Sequence, residues 1–362
     1  MKAGIWGTGN IAETHAASLK SLGINISAVV DTNIEKAQFF AKKWGVQSWS
    51  DNPEILLHQD IFSVHVCTPP ALHYDMVHML IENSKHVLCE KPLCLKSEEA
   101  HLLEQLAKAN GVTGAVNYNV RFYDACQQAY QMINSESFGD IYMVHGSYLQ
   151  EFHVLPVPYG WRYEPKLAGR MRAVTEIGTH WFDLAMFLSM KKITKVSAMF
   201  GHHQPSRYLE NGIMIAAKDH DTNQVFTVDS EDSAFILFQF EDGAIGSVVL
   251  SEVSQGRSNQ INIEITGENK NLWWNSEVPA VLNSASKGTG IRVERFDFGN
   301  NSFGDSFREL IKVFYQVIQN NEDVNVNLLP GFKTGAEVAS VCEAVMESAY
   351  SKGQWKEVKC GR

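Results

Sequence analysis

The sequence predicts an α/β protein of two domains, the first built on a doubly wound parallel sheet and the second on an antiparallel one. Three observations carry that prediction. A glycine-rich turn, Gly7-Thr8-Gly9-Asn10-Ile11-Ala12, joins a short apolar run to a helical pattern. Strand-like and helix-like segments then alternate as far as residue 116, and from residue 234 short alternating strands follow one another through tight turns. Length agrees, because 362 residues exceed what one hydrophobic core usually serves.

Ala3-Gly4-Ile5-Trp6 is the first strand, and Glu13 to Leu22 carries a helical pattern that ends at Gly23. Between them, glycine at 7 allows the turn, glycine at 9 lets a pyrophosphate approach the backbone, and the small Ala12 lets helix and strand pack closely. Ile26-Ser27-Ala28-Val29-Val30 is the second strand. Asp31 at its end lies about 20 residues beyond the turn, where a carboxylate accepts both ribose hydroxyls and repels a 2′-phosphate. No arginine follows, only Thr32 and Asn33, so the segment favours NAD over NADP, with Lys36 softening the discrimination. A lone G-x-G-x-x-A is a weak signal; the flanking strand, the helix and the acid together make it a dinucleotide site.

Ile61 to Val66, His86 to Cys89 and Val112 to Val116 continue as strands, with helices over Ala71 to Glu82 and Ser97 to Asn110. This alternation implies right-handed crossovers in a parallel sheet. Thr68-Pro69-Pro70 ends the strand at Cys67, since prolines lack the amide donor a ladder needs, and leaves a loop at the cofactor crevice. His73 follows, either as a cofactor contact or as a capping or surface residue. Lys91, in Glu90-Lys91-Pro92, comes just after a buried strand ends. Ligands of an open parallel sheet bind there, so the run sets an amine beside the reacting part of a cofactor. The alternative is a salt bridge from Lys91 to Glu90 at a solvent edge.

In the second half, Ile141 to Leu149 is a strand, and an irregular stretch with Pro156, Pro158 and Pro165 gathers aromatic and basic side chains. Trp161, Arg162 and Arg172 supply an apolar face and hydroxyl-directed donors suited to a sugar, or else pin the loop; Tyr148 and His153 are weaker candidates. A helix over Thr175 to Ser189 sets Glu176, His180 and Asp183 at i, i+4 and i+7, a polar stripe amid Ile177, Phe182, Leu184 and Phe187. Asp183 fits a structural network as well as a functional one. Ala234 to Phe240, the turn Glu241-Asp242-Gly243, Ala244 to Leu250, Gln260 to Thr266 and Lys270 to Trp274 form an antiparallel sheet. One side packs on helices, and the other is a large face best buried against a second subunit, so a homodimer or homotetramer is expected. Helices over Ser302 to Gln319 and Gly331 to Tyr350 close the chain, the second packing back on the main body.

A formal charge of -10 without a long Lys/Arg run argues against nucleic acid or an anionic membrane as partner. No segment approaches the roughly 20 apolar residues of a membrane span, and the start lacks signal-peptide character. Cys67, Cys89, Cys94, Cys126, Cys342 and Cys360 form no C-x-x-C pair, unlike a disulfide framework or a zinc site. A reducing cytoplasm and no metal are expected.

With Gly7 to Ala12, Thr68-Pro69-Pro70, His73 and Glu90-Lys91-Pro92 in this order, the chain resembles the Gfo/Idh/MocA oxidoreductases over essentially its whole length. The resemblance implies an N-terminal Rossmann domain, here residues 1–119, and a C-terminal α/β domain with a large open antiparallel sheet, residues 120–362. It implies oxidation or reduction of sugars, polyols and their derivatives with NAD(P). Asn119-x-Arg121-Phe122 looks like the family's link segment, and Glu176-Ile177-Gly178-Thr179-His180 resembles its D-x-G-x-H motif, with Asp183 following. Two features depart from the pattern. Glutamate replaces aspartate at 176, and Arg170-Met171-Arg172 stands where a glycine run is common. Gly160-Trp161-Arg162, Arg172-Ala173-Val174 and His180-Trp181-Phe182-Asp183 are similar to a subgroup that includes levoglucosan-type dehydrogenases.

On this resemblance the cofactor contacts are Gly7, Thr8, Gly9, Asn10, Ile11, Asp31, Thr68, Pro69, His73, Glu90, Lys91 and Asn119. The substrate, a carbohydrate or polyol, would meet Arg121, Trp161, Arg162, Arg172 and Asp183, and Lys91, His180 and Glu176 are the catalytic set. Taking hydride from a carbinol carbon requires the hydroxyl proton to leave too, so a base must touch that oxygen. His180 is assigned as principal acid/base, Lys91 as the partner that orients the hydroxyl and relays the proton, and Glu176 as the group that positions both. The converse assignment of His180 and Lys91 satisfies the same demand. Two rivals are a glycosidase that holds NAD permanently and a non-enzymatic NAD-responsive binding protein; retention of both Lys91 and His180 counts against the second.

Overall fold

Strands and helices taking turns along the first unit build a six-stranded parallel sheet. The computed structural model describes residues 1–216, 225–296, 299–320 and 326–359. Its strands are β1 (Lys2–Trp6), β2 (Asn25–Val30), β3 (Ser48–Ser50), β4 (Ser63–Val66), β5 (His86–Cys89) and β6 (Gly114–Val116), in the order β3-β2-β1-β4-β5-β6. The strand order reverses beside β1, so the crevice at the carboxyl ends of β1 and β4 is the place where such a sheet takes a ligand. Helices α1 (Asn10–Ser21), α2 (Ile34–Trp44), α3 (His73–Glu82) and α4 (Ser97–Ala109) make the crossovers.

The chain returns to this unit late. Residues Ser302–Ala339 belong with Met1–Phe122, so the single boundary expected after residue 119 is replaced by an excursion and a return. The physical reason is the apolar stripe of helix Phe303–Ile318. Its Phe307, Leu310, Ile311 and Phe314 are buried in one core with Ile5, Ala12, Ala16, Leu19 and Val29. Phe314→Ala is therefore expected to cost about 3–5 kcal/mol of stability, read as a lowered unfolding midpoint. A cost below about 0.5 kcal/mol, typical of a surface site, would remove this helix from the core.

The second unit is built on a nine-stranded sheet. In chain order its strands are β7 (Ile141–Leu149), β9 (Ile193–Gly201), β13 (Ser233–Phe240), β14 (Ile245–Ser251), β15 (Gln260–Gly267), β16 (Lys270–Asn275), β17 (Val281–Ser286), β18 (Ile291–Arg295) and β19 (Lys356–Glu357). A separate four-stranded sheet takes β8 (Val157–Pro158), β10 (Ser206–Glu210), β11 (Ile213–Ala216) and β12 (Val225–Thr227). The larger sheet is antiparallel apart from one parallel pair, β7 with β14. Sequence periodicity anticipated β7 and β13 to β16, and missed the small sheet, whose strands are short and lack clean alternation. Along β13, burial alternates strictly through Phe235 and Leu237, so one face of the sheet is buried and the other exposed.

The helix expected over Thr175 to Ser189 is two pieces, a π-helical turn at Val174–Gly178 and an α-helix at Thr179–Ser189. A turn closed from i to i+5 rotates Glu176 relative to His180 from where a continuous α-helix would set it. Such turns recur at functional sites.

Candidate active site

The first unit gathers Gly7 to Ile11, Asp31, Thr68, Pro69 and the Glu90-Lys91 run at the carboxyl ends of β1, β2, β4 and β5. Gly7 has φ +94, and a Cβ there would lie 2.9 Å from the carbonyl oxygen of Cys67, so glycine is required twice over. Gly9 differs. Its φ of -74 suits any residue, and a Cβ would meet nothing within 4 Å, so nothing inside the protein demands a glycine. The space it leaves lies at the N-terminus of α1, which has no side-chain cap and whose dipole favours an anion. That open floor is what a dinucleotide pyrophosphate fits. Asp31 ends β2 half-buried, its Oδ2 accepting from the Thr8 amide at 2.9 Å and the Thr8 hydroxyl at 2.7 Å, and its Oδ1 from the Asn33 amide at 2.9 Å. The acid thus orders the loop as well as facing the crevice. Its remaining lone pairs are what a ribose hydroxyl could use.

Three expected ligand contacts, two to the cofactor and one to the substrate, are buried with hydrogen-bond partners inside the protein. His73 is fully buried, with Nδ1 at 2.9 Å from the Pro92 carbonyl and Nε2 at 2.8 Å from the Thr68 carbonyl. Burial holds its pKa below the usual value despite those two carbonyls, and the ring braces the Thr68 loop against the segment after Lys91. Asn119 gives its amide to Ser306 Oγ at 2.9 Å, tying the link segment to helix Phe303–Ile318. Arg121, expected to meet substrate, donates from Nη1 to the Leu328 carbonyl at 3.2 Å and is buried. Local sequence could not reveal these partners, which lie up to 207 residues away.

Glu90 is also interior. It accepts from Asn117 Nδ2 at 2.6 Å and meets His15 Nε2 at 2.9 Å. From His15 a buried chain continues: Nδ1 of His15 to Nδ1 of His65 at 2.7 Å, His65 Nε2 to the Tyr315 hydroxyl at 3.0 Å, and that hydroxyl to Ser63 Oγ at 2.8 Å. Burial would push the Glu90 carboxyl up, but the His15 contact, Asn117 and the Lys91 charge outweigh it and hold it below the usual range. His65 is driven well below its usual value by burial, then by His15. The signal for this chain was present in the sequence: Ser63 and His65 sit at alternate positions of an otherwise apolar strand. Lys91, half-buried, follows Glu90 directly and its amide lies 3.4 Å from Glu90 Oε2.

In the second unit, Trp161, Arg162 and Glu176 do come together. Arg162 Nε donates to Glu176 Oε2 at 2.9 Å, and its guanidinium lies 4.6 Å from the Trp161 ring centre. The Glu176 charge raises the pKa of Arg162. His180 and Asp183 are buried on the helix that continues the same turn. Arg172 corrects the expectation of a hydroxyl-directed donor. It is 1 % exposed, its Nε donates to Glu252 at 2.8 Å, and a second nitrogen is paired with Asp232. Burial works against its charge, but Glu252 and Asp232 more than offset this and raise its pKa. Asp232 and Glu252, and Glu231 beside them, whose carboxylate accepts the backbone amide of Arg172, were not anticipated from the sequence. Glu231 and Asp232 precede β13 and Glu252 follows β14, so the hairpin register is what joins them.

Two family models match the chain: an oxidoreductase family with an NAD-binding Rossmann fold over residues 1–118, and the GFO/IDH/MocA C-terminal domain over residues 126–272. Levoglucosan dehydrogenase of Pseudarthrobacter phenanthrenivorans is 28% identical over 352 residues, covering 91% of this chain and 88% of that protein. The scyllo-inositol 2-dehydrogenase (NAD(+)) of Bacillus subtilis is 27% identical over 74% of this chain and 71% of its own length. A solved structure of levoglucosan dehydrogenase in complex with NADH and L-sorbose shares the fold, with a TM-score of 0.89 at 24% identity over 99% of both chains.

Proposed function

We propose, from the premise that this chain belongs to the Gfo/Idh/MocA family of NAD-binding oxidoreductases, that it moves hydride between NAD and a CH–OH group of a sugar, anhydrosugar or polyol. The observation that carries this reading is the uncapped start of α1 under Gly9, an anion floor with Asp31 at the end of the adjacent β2 and Lys91 just past the end of β5, two strands away on the other side. Gly7 to Ile11 would hold the pyrophosphate, and Asp31 a ribose, where its charge disfavours the 2′-phosphate of NADP. NAD supplies the hydride acceptor or donor. Everything else falls to the side chains. Lys91 and His180 take up the hydroxyl proton as the alcohol is oxidised and return it in the reverse direction, and Glu176, fixed by Arg162, orients them. Trp161 offers an apolar face to the substrate ring.

The name of the relative that matches over 91% of this chain favours an anhydrosugar within that class. Absorbance of reduced nicotinamide across a panel of monosaccharides, anhydrosugars and inositols, with NAD and with NADP, tests the reading. Reduction of NAD by at least one panel member supports it; silence across the panel with both cofactors, in both directions, rejects it.

The exposed face of the nine-stranded sheet is assigned to self-association. Met199, Phe235, Leu237 and Ile245 are each more than half exposed on neighbouring strands, an apolar area that a monomer would leave in water. A Phe235→Asp, Leu237→Lys double variant is expected to move the light-scattering mass from a dimer or tetramer to the 40.5 kDa chain. A wild-type mass already at the monomer value rejects the assignment. Cys67, Cys89, Cys94, Cys126 and Cys342 are unpaired and buried, which suits a reducing compartment such as the cytoplasm; Cys360 lies outside the described residues. Among the described residues no helix is long and apolar enough to cross a membrane, and no group of three or more His, Cys, Asp or Glu could hold a metal.

A further inference from the structure

Glu231, Asp232 and Glu252 lie together because Ser233, which opens β13, pairs with Ser251, which closes β14. All three are about 1 % exposed. Two of them have an obvious purpose, since Asp232 and Glu252 neutralise Arg172. Glu231 does not join that pairing. Its oxygens instead accept backbone amides: Arg172 N lies 3.0 Å from both, and Val174 N lies 2.8 Å from Oε1. Those are donors at the entrance to the π-turn Val174–Gly178 and the helix Thr179–Ser189, which would otherwise be unsatisfied in a buried place. A carboxylate brought in from another element, 57 residues away, is therefore the cap of the turn that carries Glu176 and leads to His180.

Capping alone does not call for a buried charge. A serine or aspartate at the N-cap itself would satisfy the same amides locally at lower desolvation cost. What a carboxylate reaching across from the segment just before β13 adds is register. Both oxygens are held, so the turn is fixed in position against the sheet as well as hydrogen-bonded. We propose that Glu231 is a positioning residue: while ionised it clamps the entrance of the π-turn so that Glu176 and His180 are held in the geometry the reaction needs, and on protonation the clamp loosens. This rests on the catalytic reading of Glu176 and His180.

The surroundings make the clamp pH-sensitive. Burial pushes the Glu231 carboxyl up to about 7, against the pull of the Val174 and Arg172 amides, and the charge of Glu252 adds to the rise. The other groups near it are Asp232 and Arg172, which satisfy each other, and the Cys342 thiol on helix Phe332–Tyr350, which is itself pushed up by burial and stays neutral. Because the folded value lies above the usual 4.5, stability associated with Glu231 is present at low pH and is lost as pH rises through about 7. Turnover moves the opposite way, rising as the clamp forms. A group kept only for stability would not show that opposition.

The test compares full-length wild type with Glu231→Gln and Glu231→Asp by three readouts. In Glu231→Gln, kcat should fall roughly 10–100-fold with KM changed far less, and the acidic limb of kcat near pH 7 should vanish. The fall in melting temperature that wild type shows between about pH 5 and 7 should flatten in the same variant. Hydrogen exchange at the Arg172 and Val174 amides should speed up at least about tenfold. Glu231→Asp keeps the charge and should keep the pH limb. The last two readouts need no substrate, so a silent sugar panel would sink the functional reading and leave the clamp still decidable. Unchanged exchange and an unchanged melting profile in Glu231→Gln overturn the clamp, whatever turnover does. If Glu231→Gln fails to fold, loss of the pH limb in a folded Glu231→Asp overturns it equally.

Discussion

Lys91→Ala and His180→Ala are each expected to lower turnover by about 10²–10⁴-fold, the usual worth of a positioned acid/base group, with NADH affinity within a few fold of wild type. The expectation follows from electron and proton counting. Oxidation removes a hydride and a proton from one alcohol, and a carbonyl that kept the proton would bear a charge with nothing to stabilise it. Lys91 lies where the strand ends of the parallel sheet meet the dinucleotide floor, and His180 lies on the helix that continues the turn bearing Glu176. In the proposed roles neither side chain holds the pyrophosphate or the ribose, so binding and chemistry should separate. Single-turnover rates with bound NAD, beside a fluorescence titration with NADH, measure the two independently. Wild-type turnover in both variants would falsify the catalytic assignment. A loss confined to one variant decides which residue is the principal base.

Gly9→Asp should leave the protein folded with its melting temperature within a degree or two, yet weaken NADH binding by at least about 100-fold, a few kcal/mol of lost phosphate contact. The backbone at Gly9 accepts any side chain, and a Cβ would meet no protein atom within 4 Å, so folding has no stake in the glycine. The new carboxylate would occupy the place of the phosphate and repel it. Gly7→Ala provides the contrast. There the Cβ would sit 2.9 Å from a backbone carbonyl at a φ of +94, so that variant should lose about 1–3 kcal/mol of stability as well as affinity. Equal melting temperatures for the two variants, or tight NADH binding by Gly9→Asp, would contradict the reading of the site.

The difference between these glycines shows how far sequence alone reaches. Both were legible as a motif, because strand, turn and helix are close in the chain and each requirement is local. That the fold requires one glycine and has no need of the other depended on what stands opposite each. His73 was similarly visible as part of a pattern, and only the fold shows its ring fully buried between the carbonyls of Thr68 and Pro92. Arg172, read as a donor for substrate, proved to be the centre of a buried ion cluster.

By itself the sequence determined the doubly wound sheet, the dinucleotide floor and the strand-end lysine, because hydrophobic period and turn chemistry act over a few residues and need no distant partner. Only the tertiary structure decided the return of helix Phe303–Ile318 to the first core, the π-turn before His180 and the partners of Glu90, Arg172 and Glu231. A buried polar group must be satisfied by whatever the fold brings beside it. Which group that is follows from strand register and helix docking, and neither is written in the spacing of neighbouring residues.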